Sequence, residues 1–553
     1  VTIKSNLASL YLELGEYDKA KNLFQETLES DIEFYGPNSY YVAISYNNLG
    51  LNSLNVEKYE EAEDYFEKSV AIFEKEVGTD SYTYGLVATS LAKVYARNSK
   101  IEKAEEYLGK SLKSFKDTEQ TDIPEYAFAL FSAGVVNEFL NNLEKAEEYH
   151  EDAANLRKKI LGENHPFYAL STVQLAILNW KMKDRKKAQD YYLETFDNYF
   201  TQINAYFPVL TEDEKSTFYY GKLKPAFEQF NSFVIKNQTD NKELIELMYN
   251  YQLATKGLIF YATSKVRESI INSEDEELIS KYETWINQKE QLAKLFSASD
   301  MDPDQRNQKI DSLTEISDEL ESELSKLSSV FADNFAKTEL TWKDVRDKLA
   351  DNEAAVEIIR FRDFDPDKAG SFTDEVFYAA LIVTPDTKDH PELVVIRNGK
   401  ELENKYLSNY RNAIKYQINE NYSYRLFWQP IANKLDPKIE RVYFSPDGVY
   451  NQISIYTLQN PKSKNFILDE IEVQLISNTK DLVASNDDGK SSGASYLFGF
   501  PNYNMGEVEK STDDTSGEGE QRGVRGARGS RGGNAGDLEE LSRGGIPRGL
   551  RGN

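Results

Sequence analysis

The side chains that most often carry out catalysis are scarce in this sequence. Cysteine is absent, and three histidines occur, His150, His165 and His390. Without a thiol, the sequence offers no thiolate nucleophile, no disulfide and no cysteine-ligated metal. The histidines are scattered and lack the spacing of a zinc site. We therefore predict no catalytic residue, no metal site and no cofactor.

Each histidine has a structural interpretation instead. His150 occupies a bulky position in a repeat described below, where we expect it to pack between helices. His165 lies in a turn between two repeats, where capping or exposure is expected. His390 lies in a loop between two predicted strands and has no thiol to serve.

A second group of chemically interesting residues lies in the segment 505–553. This segment is first acidic and then rich in Arg-Gly pairs, a composition that predicts disorder. It could be a flexible loop, a linker that proteases cut, or an RNA-binding segment. The formal charge of −28 argues against nucleic-acid binding, because phosphates would be repelled. The arginines of the possible processing loop are Arg522, Arg525, Arg528, Arg531, Arg543, Arg548 and Arg551.

The length and composition indicate several packed domains. The chain has 553 residues, of which 40% are hydrophobic, and it has no apolar run near the ~18 residues of a membrane span. It starts at Val1 without a signal-peptide pattern, just ahead of a repeat helix. We predict a cytoplasmic protein and expect the chain to begin within a longer array.

A repeat of 42 residues organises residues 1–200. Small, apolar and bulky positions recur at this step, which is typical of stacked helical hairpins. The small series is Ala8, Gly50, Ala92, Gly134 and Ala176, and the bulky series is Phe24, Phe66, Leu108, His150 and Tyr192. Glycines 36, 78 and 162 mark turns between repeats. This pattern resembles tetratricopeptide (TPR) repeats, with about five repeats, and the turn at 162–166 resembles the kinesin-light-chain type.

One polar position beside the apolar series suggests a function. In TPR proteins the first helix of each repeat lines a concave groove that holds an extended peptide, so the resemblance implies a protein or peptide partner there. The alternative is that these residues are merely exposed or bond between repeats. The candidate protein-binding residues are Asn6, Asn48, Ser90, Ser132 and Gln174.

The period disappears over residues 201–340, which stay helical and are predicted to form a connector. Apolar residues at steps of three and four over 310–327 predict an amphipathic helix, packed antiparallel on its neighbour. A coiled-coil dimer is the alternative.

After residue 340, β-rich runs alternate with a helical piece and predict an α/β sheet, largely parallel. Within it, an apolar run leads into Ser445-Pro446-Asp447-Gly448, a tight-turn sequence. A second partly alternating run follows, so a hairpin or strand–turn–strand is expected. Further strands are predicted over 466–476 and 495–501. Asp447 is interpreted as a turn residue.

An ordered set of strings in residues 240–504 is similar to the CHAT domains, peptidase modules related to caspases and separase. The strings are Leu-Ala-Thr-Lys-Gly-Leu-Ile (253–259), Ala-Val-Glu-Ile (355–358), Phe-Tyr-Ala-Ala-Leu (377–381), Leu-Phe-Trp-Gln-Pro-Ile (426–431), Ser-Pro-Asp-Gly (445–448) and Phe-Gly-Phe-Pro (498–501). The resemblance implies a caspase-like fold, of which this chain holds the N-terminal half.

The predicted architecture is therefore a TPR solenoid (1–200), a helical connector (201–340), the N-terminal part of a CHAT α/β domain (341–504) and a disordered tail (505–553). The family's cysteine–histidine dyad would lie beyond residue 553, in a C-terminal catalytic half that is also a predicted partner. Truncation, processing and a natural pseudo-enzyme each explain its absence. Whether the protein is an enzyme is left open, and a non-catalytic TPR adaptor is the alternative function.

Overall fold

The computed structural model describes residues 2–13, 17–207, 210–261, 270–271, 273, 275–297, 303–327, 340–368, 371–418 and 422–484. Its first part is entirely helical. The helices of this part are α1 (Thr2–Glu13), α2 (Tyr17–Tyr35), α3 (Tyr40–Asn55), α4 (Tyr59–Glu76), α5 (Tyr82–Arg97), α6 (Ile101–Asp117), α7 (Pro124–Phe139), α8 (Leu143–Leu161), α9 (Pro166–Lys181) and α10 (Arg185–Tyr206). They pair as five antiparallel hairpins, which confirms the predicted solenoid.

The 42-residue period is visible in the backbone of the solenoid. The turn inside each of the last four hairpins places one residue in the left-handed region, at Glu57, Ser99, Asn141 and Lys183, with φ between 58° and 68°. Gly36, Gly78 and Gly162 also have positive φ and lie in turns between hairpins, as predicted. The same turn is therefore repeated at the same sequence step.

The small and bulky series pack against each other across each hairpin. A Cβ built on Gly50 would lie 2.7 Å from the Phe66 ring, and one on Gly134 would lie 2.4 Å from the His150 ring. Glycine is required here because the two helices approach too closely for any side chain. His150 is fully buried and contacts Phe131, so its predicted packing role is confirmed.

The connector continues as helices without the period. Its helices are α11 (Glu212–Phe218), which runs through a π turn (Tyr219–Leu223) into α12 (Lys224–Asn237), then α13 (Glu243–Thr255), α14 (Glu276–Ser297) and α15 (Pro303–Leu327). Ion pairs join Lys281 to Glu323 and Lys289 to Glu321, so α14 and α15 run antiparallel as predicted. Leu324 packs on Trp285 between them.

The second part of the molecule is built on a five-stranded sheet in the order β3-β2-β1-β4-β5. Its strands are β1 (Glu353–Asp365), β2 (Ser371–Val383), β3 (Glu392–Ile396), β4 (Arg441–Ser445) and β5 (Glu472–Leu475). The helical pieces around them are α16 (Trp342–Arg346), α17 (Gly399–Glu401), α18 (Leu407–Lys415), α19 (Gln429–Ala432), α20 (Ile467–Glu470) and α21 (Asp481–Ala484), with π turns at Leu402–Tyr406 and Tyr424–Trp428.

The sheet is mixed, so the prediction of a largely parallel sheet was wrong. Strand β1 pairs in parallel with β4, and β4 with β5, whereas β1–β2 and β2–β3 are antiparallel. The links between β1, β2 and β3 are a few residues long. A parallel crossover needs a dozen or more residues, so these links can only form hairpins.

The turn at 445–448 also differs from its prediction. Strand β4 ends at Ser445, and 3-10 helices at Gly448–Gln452 and Ile455–Thr457 follow instead of a second strand. Residues 466–476 contain α20 before β5, so only 472–475 are extended. Val449 and Ile455 are buried against the sheet, which explains how a partly alternating pattern arises without a strand.

Alternation along β1 places its two faces against different helices. Ile359 and Phe361 lie in a core shared with the last hairpin, α12 and α13, whereas Val356 and Ile358 pack against the helices after β3. The last hairpin, α12, α13 and one face of the sheet therefore share one hydrophobic core.

Candidate functional site

The predicted protein-binding residues lie on the first helices of the five hairpins, but they differ in exposure. Asn6 is exposed, Gln174 is half-buried, and Asn48, Ser90 and Ser132 are buried. Gln174 Nε2 donates to Glu138 Oε1 at 2.7 Å, and Ser90 Oγ lies 3.4 Å from the carbonyl of Leu86.

Two members of this set have unused hydrogen-bonding atoms. Asn48 Oδ1 and Ser132 Oγ are buried without a hydrogen-bond partner in the described part of the chain. Internal bonds therefore account for Ser90 and Gln174, and the buried atoms of Asn48 and Ser132 are closed to a partner. Groove binding stays a prediction that the exposed Asn6 fits best.

A second polar cluster forms where the connector meets the sheet, and the sequence did not predict it. Lys256 follows α13, and its ammonium lies 2.5 Å from Glu357 Oε1 of β1. It also contacts Ser445 at the end of β4, at 2.5 Å to Oγ and 3.1 Å to the carbonyl oxygen. This ion pair joins residues 101 apart in the chain.

Glu357 is fully buried, and its hydrogen bonds are complete. Its second oxygen, Oε2, accepts from the backbone N–H and the hydroxyl of Thr479, at 3.0 and 2.9 Å. Such pairing is needed because a buried carboxylate without partners would cost several kcal/mol. The parallel register of β1 and β4 sets Glu357 opposite Ser445.

The loop after β5 fastens α13 to this cluster. Asn478 Nδ2 donates to the carbonyls of Leu253 and Lys256, at 3.1 and 3.2 Å, and so caps the end of α13. Tyr249 of α13 donates to the Thr479 hydroxyl at 2.9 Å. Four separated segments thus meet at one point: the end of α13, the middle of β1 and the ends of β4 and β5.

A third set of contacts holds the turn at 445–448. Asp447 accepts from the backbone N–H of Arg360 at 2.8 Å and of Gly448 at 2.7 Å, so it acts as the turn residue that the sequence predicted. Arg360 makes a bidentate pair with Glu403, at 2.6 and 3.1 Å, and Tyr378 donates to the same carboxylate at 2.7 Å.

Burial and hydrogen bonds shift the pKa values of the residues in this set. Burial alone would raise the pKa of Glu403, but the hydrogen bonds from Arg360 and Tyr378 outweigh it and lower that pKa. The hydrogen bond to Glu403 raises the pKa of Arg360, and burial raises that of Tyr378. The pair is therefore ionised around neutral pH and fixes the turn electrostatically.

The Lys256 cluster resembles a serine–lysine pair in composition, but it lacks access. Ser445 is fully buried, and its hydroxyl is held between Lys256, Glu357 at 2.8 Å and the Ser477 carbonyl at 3.0 Å. A nucleophile must reach a substrate carbonyl. The arrangement can join the connector to the sheet, and its geometry gives no path for acyl transfer.

His150 is linked to the first set, because its Nε2 lies 2.8 Å from Glu138 Oε1, the oxygen that accepts from Gln174. The other two histidines lie apart from these sets. His165 caps α9 by accepting from the N–H of Phe167 at 3.1 Å, and His390 lies in the loop between β2 and β3, both as predicted. No group of three or more His, Asp or Glu side chains fit to hold a metal ion occurs among the residues that the structure describes. The Arg522–Arg551 loop and the string at 498–501 lie outside the described residues.

One signal for the Lys256 cluster is present in the sequence. Glu357 interrupts an apolar strand run, and a charge inside a buried strand needs a partner. Nothing in the sequence identified that partner as Lys256, because a register between distant segments decides it.

Comparison with known proteins assigns the helical part. A tetratricopeptide repeat model matches residues 1–54, 53–117 and 124–199. The N-terminal hairpins are thus TPR repeats, which agrees with the small and bulky packing described above. No curated protein matches the chain. No helix within the described ranges is long and apolar enough to cross a membrane.

Solved structures are similar to about a third of this chain. TPR-like repeats of a kinesin light chain from Podosopora anserina share 19% identity, with a TM-score of 0.31, over 35% of this chain and 92% of the other. BtubC from P. vanneervenii shares 20% identity, with a TM-score of 0.32, over 37% and 80%.

Proposed function

We propose that this chain binds a protein or peptide partner through its TPR array, and that the array is joined to a CHAT-type α/β domain whose activity it regulates. The TPR repeats carry the proposal, because TPR repeats generally bind protein partners. The proposal includes a cytoplasmic location and a C-terminal catalytic half as a second partner.

The shared core supports the regulatory part of this proposal. Trp180 of the last hairpin contacts Phe364 of β1 and Phe233 of α12, with ring centroids 6.0 and 5.4 Å apart. The Lys236 ammonium of α12 donates to the carbonyl of Phe364 at 2.7 Å. A change in the last hairpin on partner binding would thus act directly on β1.

The CHAT assignment rests on the sequence resemblance. Three of its strings, at 253–259, 355–358 and 445–448, contribute Lys256, Glu357 and Ser445 to one buried cluster. This supports a common structural role for the strings. Peptide hydrolysis of this type would need a cysteine, which this sequence lacks, and a histidine in the family's motif, which none of its three histidines matches. The reaction would therefore depend on a further segment.

Partner binding can be tested with a peptide selected from a display library against the whole chain. Calorimetry would then compare Asn6→Ala and Gln174→Ala with the exposed control Lys68→Ala on α4. We expect the first two to weaken binding, because each is a polar side chain on a first helix that a partner can reach, and the control to bind normally. Equal binding by all three would refute the groove assignment.

The peptidase proposal is tested by the gene sequence that follows the codon for Asn553. A strand followed by His-Gly, and a later strand ending in Ala-Cys, would support it. A stop codon would support the adaptor function instead, which the absence of cysteine favours. Sequencing both termini of the expressed full-length protein would test cleavage among Arg522–Arg551, and an intact active protein would exclude it.

A further inference from the structure

A cleft of about 1160 Å³ lies between the connector and the sheet. Its walls come from α11, the π turn, α12, the end of α13 and the α14–α15 hairpin, and its inner end is closed by Ile359, Arg360 and Asp447. It therefore lies beside the carboxyl end of β4, where strand direction changes across β1. Ligands of α/β sheets commonly bind at such positions.

Buried polar groups around this cleft have unused hydrogen-bonding capacity. Trp285 Nε1, Glu228 Oε1 and Glu321 Oε2 have no hydrogen-bond partner among the described residues, although these residues are 8%, 2% and 6% exposed. Buried polar atoms normally find partners. The Trp285 N–H is the donor of this set and can donate to an anionic ligand, whereas the two carboxylate oxygens only accept hydrogen bonds.

Lys215 is the most informative of the lining residues. It is 1% exposed, and within the described ranges its ammonium forms no hydrogen bond and no ion pair within 4 Å. The two buried carboxylates are already compensated, Glu228 by Arg362 at 2.7 Å and Glu321 by Lys289 at 3.5 Å. Lys215 is thus a buried cation of the cleft that has Glu321, Glu212 and Glu214 nearby but forms no direct ion pair among the described residues.

The pKa of Lys215 agrees with this geometry. Burial lowers it, and the attraction of Glu321, Glu212 and Glu214 only partly offsets that effect. An anion bound beside the ammonium would raise this pKa again, since opposite charge favours ionisation.

The remaining walls are aromatic and accessible. Tyr219, Tyr282 and Trp285 line the cleft together with Tyr220 and Phe260, which are 55% and 67% exposed. Such walls suit the apolar body of a ligand rather than a small inorganic ion.

We infer that this cleft binds an organic anion with an aromatic or aliphatic body. Its carboxylate or equivalent group pairs with Lys215, and its apolar part packs on the tyrosines and Phe260. The anion is either a free small acid or an acidic side chain of a peptide. This site is separate from the TPR groove, and the inference does not rest on the function proposed for that groove.

The test uses the whole chain and two matched probes, 1-anilinonaphthalene-8-sulfonate and uncharged 1-anilinonaphthalene. In Lys215→Met we expect the dissociation constant of the sulfonate to rise about tenfold or more, because a charge-assisted bond is lost, while that of the neutral probe changes less than about twofold. Lys222 is an exposed lysine outside the cleft, in the π turn that follows α11. The Lys222→Met variant should bind both probes as the native chain does.

Three results would overturn the inference. The first is unchanged sulfonate binding in Lys215→Met, and the second is equal loss of both probes, which would reflect a collapsed cleft. An unchanged circular dichroism spectrum and unfolding midpoint would verify the fold of the variant. Displacement of the probe by naphthylacetate or by an apolar peptide with a single Glu identifies the source of the anion, and displacement by neither is the third refuting result.

Discussion

Contacts between neighbouring helices stabilise the solenoid, whereas contacts between residues far apart in the sequence stabilise the sheet region. In the solenoid, the close pairs Gly50–Phe66 and Gly134–His150 connect adjacent helices and recur with the repeat. In the sheet region, Lys256 reaches Ser445 across 189 residues, and Tyr249 reaches Thr479 across 230. Stability in the first region is divided among many similar local contacts, whereas the second depends on a few unique ones.

Removing the buried ion pair of Lys256 and Glu357 is the strongest test of this difference between the two regions. Lys256→Met leaves the fully buried Glu357 without its cation, and we expect a loss of about 3–5 kcal/mol in the free energy of unfolding. Urea denaturation followed by the intrinsic fluorescence of the four tryptophans would measure it.

The control for this variant is an exposed ion pair. Lys438→Met removes the partner of Asp386 at the surface and should change stability by less than about 0.5 kcal/mol. Adding Glu357→Gln to Lys256→Met should recover part of the loss, because the uncompensated charge is removed. A loss in Lys256→Met no larger than that of Lys438→Met would contradict the assigned role.

In the solenoid, the corresponding test is the close contact between two helices at Gly134 and His150. Gly134→Ala would place a Cβ 2.4 Å from the buried His150 ring, and we expect a loss of about 1–3 kcal/mol, measured by thermal unfolding of the helical signal. Gly109 lies on α6 with open space around its Cα, so Gly109→Ala should instead stabilise by about 0.5–1 kcal/mol. Equal effects of the two substitutions would argue against close helix approach.

The same difference between local and long-range contacts explains which features could be predicted from the sequence. The 42-residue step made the hairpins, the glycine turns and the place of His150 predictable, because each local pattern recurs. The Lys256–Glu357 cluster was not predictable, since the register of β1 with β4 sets it. The short links between β1, β2 and β3 predict antiparallel pairing from their length alone. The prediction of a parallel sheet relied instead on the alternation of strands and helices elsewhere in the region.

Removing the charge of Glu403, the partner of Arg360, should have a smaller effect on stability than the substitutions of Lys256 and Gly134. Because the pKa of Glu403 is lowered on folding, the stability that its ionisation adds is present above its unfolded pKa and is lost as pH falls through the folded value. Glu403→Gln should therefore cost about 1–2 kcal/mol at pH 7 and less at pH 3.

Denaturation midpoints measured from pH 7 down to pH 3 would show this narrowing difference between Glu403→Gln and the native chain. Glu401→Gln, on an exposed position of the neighbouring helical turn, serves as the control. A difference that stays constant with pH would mean that Glu403 stabilises the turn by packing and not by its charge.

The smallest effects test whether the solenoid's stability is truly divided among repeats. Ser99 and Lys183 hold left-handed conformations at equivalent turns, with φ of 58° and 68°, and glycine adopts that region without strain. Ser99→Gly and Lys183→Gly should each stabilise by about 0.5–1 kcal/mol in thermal unfolding. Asn141→Gly should gain less, because asparagine tolerates this region better than other side chains do. If the gains of Ser99→Gly and Lys183→Gly add in the double variant, the hairpins contribute independently, as in a one-dimensional array. If the gain at Lys183 vanishes while that at Ser99 remains, the lost ion pair between Lys183 and Asp367, 3.0 Å apart, offsets it and shows that this contact stabilises the last hairpin against the sheet region.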